Sequence, residues 1–246
     1  MPKGSNHASL KGRWWIIGAS EGLGRELARK LDAEGAELIL SARSEDRLNE
    51  LAQELRAAQA LPLDVLDGEK IEDAAAAVGA FDGLIYCAGA YSPMKATEWD
   101  RAAGVTIAQV NFVGAMQVFG AVVPGMVKRD SGRIMLIGSL SGFRGLPGAI
   151  GYGASKAALM HLAENLRIDL RDTAIKVQLA NPGFIDTRLT RQNDFKMPQL
   201  MQPDEAAEHV MKALRSGRFS TSFPRPFAWL FQAGRYLPLR LFQALF

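Results

Sequence analysis

Three side chains in the second half of the sequence have the types that proton transfer at an oxygen requires: Ser139, Tyr152 and Lys156. Tyr152 and Lys156 are four positions apart, so on one helix they point to the same face. A cationic amine beside a phenol favours the phenolate, and a tyrosine that ordinarily titrates near about 10 is drawn toward a useful acid–base range. Ser139 follows an apolar run that reads as a strand, and open parallel sheets bind ligands at the C-terminal ends of their strands. Its hydroxyl can donate to a substrate oxygen. The Tyr-x-x-x-Lys pair alone is weak, because residues at this spacing are mostly ordinary surface residues.

Weight is added near the N-terminus by the run Gly18-Ala19-Ser20-Glu21-Gly22-Leu23-Gly24, between a predicted strand and a predicted helix. Gly18 permits a tight exit from the strand. Gly22 removes a side chain where the backbone approaches a pyrophosphate, and Gly24 lets the helix lie close to the sheet. Free amides at the helix start then face the phosphates. The plain alternative is a glycine turn with no ligand. The spacing differs from G-x-G-x-x-G, so the turn draws its force from the serine, tyrosine and lysine.

The elements that position these residues alternate. Periodicity predicts strands at Trp14 to Ile17, Glu37 to Ala42, Leu61 to Val65, Leu84 to Ala88, Arg133 to Gly138 and Ile175 to Ala180. Helices are expected at Leu23 to Glu34, Glu45 to Ala57, Glu69 to Val78, Trp99 to Asn111, Val113 to Lys128, Ala154 to Leu170 and Pro203 to Arg215. Apolar strands separated by amphipathic helices predict an α/β fold: a Rossmann-type, doubly wound parallel sheet with helices on both faces. No linker divides the chain, so one domain spanning 1–246 is expected, with 227–246 as an amphipathic C-terminal extension.

On these residues the chain resembles the short-chain dehydrogenase/reductase family, from Lys11 to about Arg215. The family turn T-G-x-x-x-G-x-G is matched from Gly18 to Gly24, with Ile17 in the threonine place. Cys87-Ala88-Gly89 stands at the family's N-A-G, Asn111 at its active-site asparagine, and Asn181-Pro182-Gly183 after the sixth strand. Ser139 precedes Tyr152 by 13 positions, and Tyr152-Gly153-Ala154-Ser155-Lys156 matches Y-x-x-x-K.

The resemblance implies a catalytic set of Asn111, Ser139, Tyr152 and Lys156. Tyr152 would be the general acid in reduction and the base in oxidation. Ser139 would polarise the substrate oxygen, with Ser141 the weaker candidate by spacing. Lys156 would lower the Tyr152 pKa and bond the nicotinamide ribose, and Asn111 would hold a water linking Lys156 to solvent. Cofactor contacts are implied at Gly18, Ser20, Glu21, Gly22, Leu23 and Gly24 of the turn. Others are Arg43 after the second strand, and Asp64 and Val65 beside the adenine. Cys87, Ala88 and Gly89 follow the fourth strand, and Pro182, Gly183, Ile185 and Thr187 follow the sixth. Tyr152 and Lys156 contribute to both sets. Ile17 and Cys87 depart from the family pattern in neighbouring structure and are expected to compensate by apolar packing.

The expected reaction interconverts an alcohol and a ketone or aldehyde by hydride transfer. A cofactor-binding regulator or scaffold stays open as an alternative, as does a lyase or epimerase using the same site. NADP(H) is expected over NAD(H). Sites that choose NAD place an acid at the end of the second strand, whereas Ala42 and then Arg43 stand there, and an arginine can pair with the extra phosphate. Ser20 adds a hydroxyl. Glu21 argues the other way if it points inward, and Arg47, one helical turn beyond Arg43, can offset it.

Composition excludes several classes. With 29 basic and 26 acidic residues the net charge is +3 and no basic run is clustered, so nucleic-acid binding is not expected. Cys87 is the one cysteine, which rules out an intrachain disulfide and points to a reducing, cytoplasmic setting. Met1 to Gly12 lacks the apolar stretch of a secretory leader. His7, His161 and His209 are scattered, so no metal is expected. Surplus apolar residues on Val113 to Lys128 and Ala154 to Leu170, helices that pair across a two-fold axis in the resembling family, imply a homodimer or homotetramer.

The substrate is expected to be an apolar small-molecule carbonyl or alcohol, walled by Phe184, Leu189, Phe195, Met197, Leu200 and Met201. From Phe227 to Phe246 the chain is rich in aromatic and leucine residues and carries only Arg235 and Arg240 as charges. Pro238 and the arginines rule out a spanning helix. The segment is expected to cover the pocket or a neighbouring subunit, or else to make peripheral contact with a membrane surface; an exposed end is the third reading.

Overall fold

Trp14 and Ile16 of the first strand pack into one apolar layer, and Trp15 and Ile17 into the other. That is the period-two signature of a sheet covered on both faces. Leu38 and Leu40 oppose Ile39 in the same way, as Ile85 opposes Leu84 and Tyr86, and as Met135 and Ile137 oppose Ile134 and Leu136. The structure, a computed structural model, describes residues 10–245. His7, Phe246 and most of the Met1 to Gly12 stretch lie outside the described residues.

Seven strands form one parallel sheet: β1 (Gly12–Ile17), β2 (Ala36–Ser41), β3 (Ala58–Ala60), β4 (Gly83–Tyr86), β5 (Arg133–Ile137), β6 (Lys176–Pro182) and β7 (Ser220–Phe223). Their order is β3-β2-β1-β4-β5-β6-β7. The chain winds outward from β1 to β3 and then reverses to β4 on the other side of β1. The crevice between β1 and β4 is therefore the switch point where such sheets bind ligands. Against one face lie α1 (Gly22–Ala33), α2 (Glu45–Glu54) and α7 (Pro203–Ser216). Against the other lie α3 (Gly68–Val78), α5 (Gly114–Arg129) and α6 (Ile150–Asp169), with α4 (Arg101–Ala108) packed on α6.

Four boundaries differ from the sequence expectation, each for a physical reason. The third strand is Ala58–Ala60 rather than Leu61 to Val65. Pro62 has no N–H for a ladder, although the Leu61 and Leu63 amides still reach Leu40 O and Ala42 O. Helix α6 begins at Ile150, four residues before the expected start, so Tyr152 and Lys156 both lie inside it. The two helices expected between Trp99 and Lys128 are joined by a π turn, Gln109–Val113, into one run from Arg101 to Arg129. By length and composition this run could cross a membrane, but Ile107, Val118, Phe119, Val122 and Met126 are buried in the core. Finally, β7 was not expected, because Ser220-Thr221-Ser222-Phe223 holds a single apolar residue.

The C-terminal segment folds into α8 (Phe227–Gly234) and α9 (Leu239–Gln243). Ala228, Phe231 and Phe242 are buried together with Leu140, and the Phe231 and Phe242 rings meet edge to face. Arg144 fastens this hairpin, donating to the carbonyls of Gly234, Arg235 and Leu237 at 2.9, 2.8 and 2.7 Å.

Candidate active site

The strand β1 ends at Ile17, and the chain turns sharply at Gly18 with φ at +93°. A side chain there would be strained and would collide with the backbone of Cys87 and Ala88. Gly24, in the first turn of α1, faces the Gly18 carbonyl so closely that a Cβ has no room. The two glycines press the helix start against the ends of β1 and β4, leaving the amides of that first turn toward the crevice. This is a cradle that side chains would fill, and its shape fits a dinucleotide pyrophosphate.

From the cradle a cavity of about 620 Å³ runs along the C-terminal ends of the strands. Arg43, Arg47 and Asp64 line one end, and Ser139, Tyr152, Lys156 and Phe184 the other. Strand β5 carries Ser139 to the sheet edge, and its Oγ accepts from the Ser141 amide at 3.2 Å and lies 3.0 Å from the Ser141 hydroxyl. The first turn of α6 presents Tyr152 beside it. Lys156 follows one turn later, is almost wholly buried, and donates from Nζ to Ile137 O at 2.8 Å.

The electrostatics depart from the sequence expectation. Lys156 Nζ sits 5.7 Å from the centre of the Tyr152 ring, yet Tyr152 is not drawn down. Burial pushes its phenol up to about 12, with the Ser139 hydrogen bond pulling against that rise. Burial also takes Lys156 down to about 8, and Cys87 up to about 11 despite the nearby lysine. With its own value at about 8, Lys156 is already neutral over the range in which the phenol would ionise, so no cation there offsets the desolvation.

Asn111 lies in the π turn, wholly buried. Its Oδ1 accepts from Ala90 N at 2.7 Å, and its Nδ2 donates to Ala90 O at 3.0 Å and Ser155 Oγ at 2.9 Å. The side chain thus pins the segment after β4 to α6. Ile17 and Cys87 do not compensate by packing on each other, since they face opposite apolar layers. Their backbones make the tie instead, Cys87 N donating to Ile17 O at 2.8 Å.

The remaining expected cofactor residues, Ser20, Glu21, Gly22, Leu23, Val65, Ala88, Gly89, Pro182, Gly183, Ile185 and Thr187, also line the cavity. Of the expected apolar wall, Phe184, Leu189 and Phe195 line it. Met201 instead bridges to Ile185 and is buried in the core, Leu200 is exposed, and Met197 touches Asn193 Nδ2 through its sulfur at 3.3 Å.

Several contributors escaped the sequence. Tyr91 meets Tyr152 edge to face at 4.9 Å, and its hydroxyl donates to Asn193 Oδ1 at 2.5 Å. Its position two residues beyond Gly89 was the available signal. The C-terminal segment, expected to cover the pocket or a neighbouring subunit, brings Phe227 and Phe231 of α8 to the cavity. Glu21 is gripped from two sides, by Arg47 at 2.8 Å and by Arg188 at 2.7 Å. The repulsion feared from Glu21 is thereby screened, with Arg188 the partner that sequence spacing did not suggest.

A family profile described as short chain dehydrogenase matches residues 14–197. The chain belongs to the short-chain dehydrogenase family. An uncharacterized oxidoreductase of Myxococcus xanthus is 37% identical over 239 residues, which cover 93% of this chain and 94% of the relative. Among solved structures, a short-chain dehydrogenase from Streptomyces avermitilis superposes with a TM-score of 0.82 at 28% identity, covering 91% of this chain and 92% of that one. A short-chain dehydrogenase from Sphingobium yanoikuyae, in complex with NADPH, gives 0.82 at 27% identity over 90% and 91%. The protein is accordingly an NAD(P)(H)-dependent oxidoreductase of the short-chain dehydrogenase family.

Proposed function

We propose that the protein interconverts an apolar alcohol and the corresponding ketone or aldehyde, with NADP(H) preferred to NAD(H). One observation carries this reading: Ser139, Tyr152 and Lys156 converge on one end of a cavity that the glycine cradle also lines. When bound, the nicotinamide supplies the hydride. The chain's own residues do the rest. Ser139 donates to the substrate oxygen, and Tyr152, whose burial keeps its phenol protonated through the neutral range, delivers the proton in reduction. Lys156, freed from Ile137 O, would bond the nicotinamide ribose and bring its charge toward the phenol. Asn111 holds the helix joint and the Ala90 segment in register with Tyr152. The aromatic end formed by Phe184, Phe195, Phe227 and Phe231 favours an apolar substrate.

Support for NADP(H) comes from Arg43, exposed at the cavity end with no ion pair among the described residues, and from Ala42 in the place of an acid. A relative from Sphingobium yanoikuyae and an actinorhodin polyketide ketoreductase were solved with NADPH. A homodimer or homotetramer is part of the same proposal, supported by Val105, Met116 and Val127, which stand exposed on α4 and α5.

The deciding experiment is a panel of carbonyl compounds offered with NADPH or NADH and read by cofactor absorbance. Tyr152→Phe should lower turnover at least ~100-fold with cofactor affinity nearly unchanged. Normal turnover in that variant sinks the mechanism, and tighter NADH binding sinks the cofactor preference.

A further inference from the structure

The C-terminal hairpin has two apolar faces, and the fold uses only one. The inner face places Phe227 and Phe231 over the cavity and buries Ala228 and Phe242. On the outer face of α8, Trp229, Leu230 and Ala233 recur at helical spacing and are exposed. Past the bend Tyr236 is 87% exposed, Leu241 on α9 stands out at 60%, and Leu245, just beyond α9, at 54%. These are large residues on a surface made by one short stretch of chain, where scattered apolar side chains would need no explanation.

Charge says what covers them. No aspartate or glutamate follows Glu208 in the sequence, whereas Arg225 stands just before α8 and Arg235 and Arg240 lie within the hairpin. None of these three pairs with a carboxylate among the described residues. Arg225 lies over the Trp229 ring at 5.7 Å, and Arg235 over Phe143 at 5.5 Å, so two of the cations are held beside aromatic faces. A stretch of tryptophan, tyrosine and leucine interspersed with arginines and carrying no acid of its own complements a layer that is apolar inside and anionic at its boundary. A second copy of the same face would set arginine against arginine.

We infer that the outer face of the α8–α9 hairpin docks on an anionic lipid bilayer, with Trp229, Leu230, Tyr236, Leu241 and Leu245 entering the headgroup boundary. Because the inner face roofs the cavity, docking sets the cavity mouth at the membrane, and the substrate class becomes a lipid-soluble carbonyl or alcohol. That last step rests on the proposed function. The docking does not, and it is measured without turnover, so the two fail separately.

The test mixes the full-length protein with vesicles of phosphatidylcholine alone or with phosphatidylglycerol, and reads the bound fraction by co-sedimentation. Binding is expected on the anionic vesicles at low salt, with release as salt rises and little binding to phosphatidylcholine. The double variant Trp229→Glu/Leu241→Glu should lose binding by about tenfold or more while keeping its thermal midpoint and sedimentation coefficient. Arg225→Gln/Arg240→Gln, which leaves the apolar face intact, should lose the preference for anionic vesicles, and it decides the matter if the glutamate variant fails to fold. No binding to anionic vesicles overturns the inference, as does unchanged binding in both variants. Dissociation of an oligomer by the glutamate variant also overturns it, because a second copy then covers this face.

Discussion

Lys156 donates to the Ile137 carbonyl from a site with almost no solvent, and this buried amine imposes a measurable cost on the fold. Its folded pKa, about 8, lies below its ordinary value of 10.5, so the folded chain binds fewer protons than the unfolded one between those limits. Stability therefore rises with pH through that window, and the penalty is fully present below it. The shift corresponds to roughly 3 kcal/mol, an upper figure because the lost carbonyl bond offsets part of it. Lys156→Met should accordingly be the more stable form at neutral pH without cofactor, with the two melting points converging as pH climbs from about 8 toward 10. Tyr152 moves the other way between about 10 and 12, as does Cys87 between about 9 and 11, but both are present in the two proteins, so the difference between them reports chiefly the amine. A constant difference between the two proteins from pH 7 to 10 would show that the amine is not desolvated as described. The convergence of Ser139, Tyr152 and Lys156 on one cavity was legible from spacing because all three are near in sequence and set by one strand and one helix. Tyr91 and Arg188 were not, since each reaches its partner, Tyr152 or Glu21, across 61 or more positions of chain that only the tertiary fold brings together.

At the scale of elements, the strongly periodic pieces were legible and the marginal ones were not. Strands such as β5 are apolar runs between clear breakers. The edge strands β3 and β7 are three and four residues long, carry little apolar pattern, and are strands because a neighbour pairs with them. The C-terminal hairpin was legible as amphipathic, but which residues face inward was not, because α8 and α9 are short and the bend at Pro238 resets their phase. Phe242 holds them together, wholly buried and pressed on Gly234 and Phe231. Truncating it removes contacts that cost about 3–5 kcal/mol in a full core. The hairpin can open without the sheet, so the loss should be local. Phe242→Ala is expected to abolish amide-exchange protection from 227 to 245 while leaving β1, β4 and β5 protected. Equal loss of protection in those strands would mean that the hairpin is part of the core rather than a cover on it.

For the whole molecule, the same layered order that makes the crevice also leaves a surface to be buried. Helix α5 lies beside α3 against the sheet and α4 packs on α6, and their outward sides expose Val105, Met116 and Val127. If this face pairs copies of the chain, as proposed, Met116→Glu/Val127→Glu should shift the sedimenting species to the monomer while circular dichroism and NADPH binding persist. An unchanged mass at micromolar concentration would remove this face from consideration. The docking face on α8 and α9 is a different surface made by a different part of the chain, so the two sets of variants should act independently.

The π turn Gln109–Val113 links these surfaces in a way that neither reveals alone. An α-helix advances about 100° per residue, and a π turn inserts one extra step, so it works as a phase shifter between α4 and α5. Upstream of it, Ile107 is buried; downstream, Ala115 and Phe119 are buried too, although an uninterrupted helix would turn them about 80° and about 120° away from Ile107. Asn111 sits on the seam, where the ladder is loosest and a side chain can reach Ala90 and Ser155. A single-residue deletion there would restore ideal winding and rotate α5 by about 100° against α4, so this π turn keeps the outer face of the molecule in angular register with the candidate site.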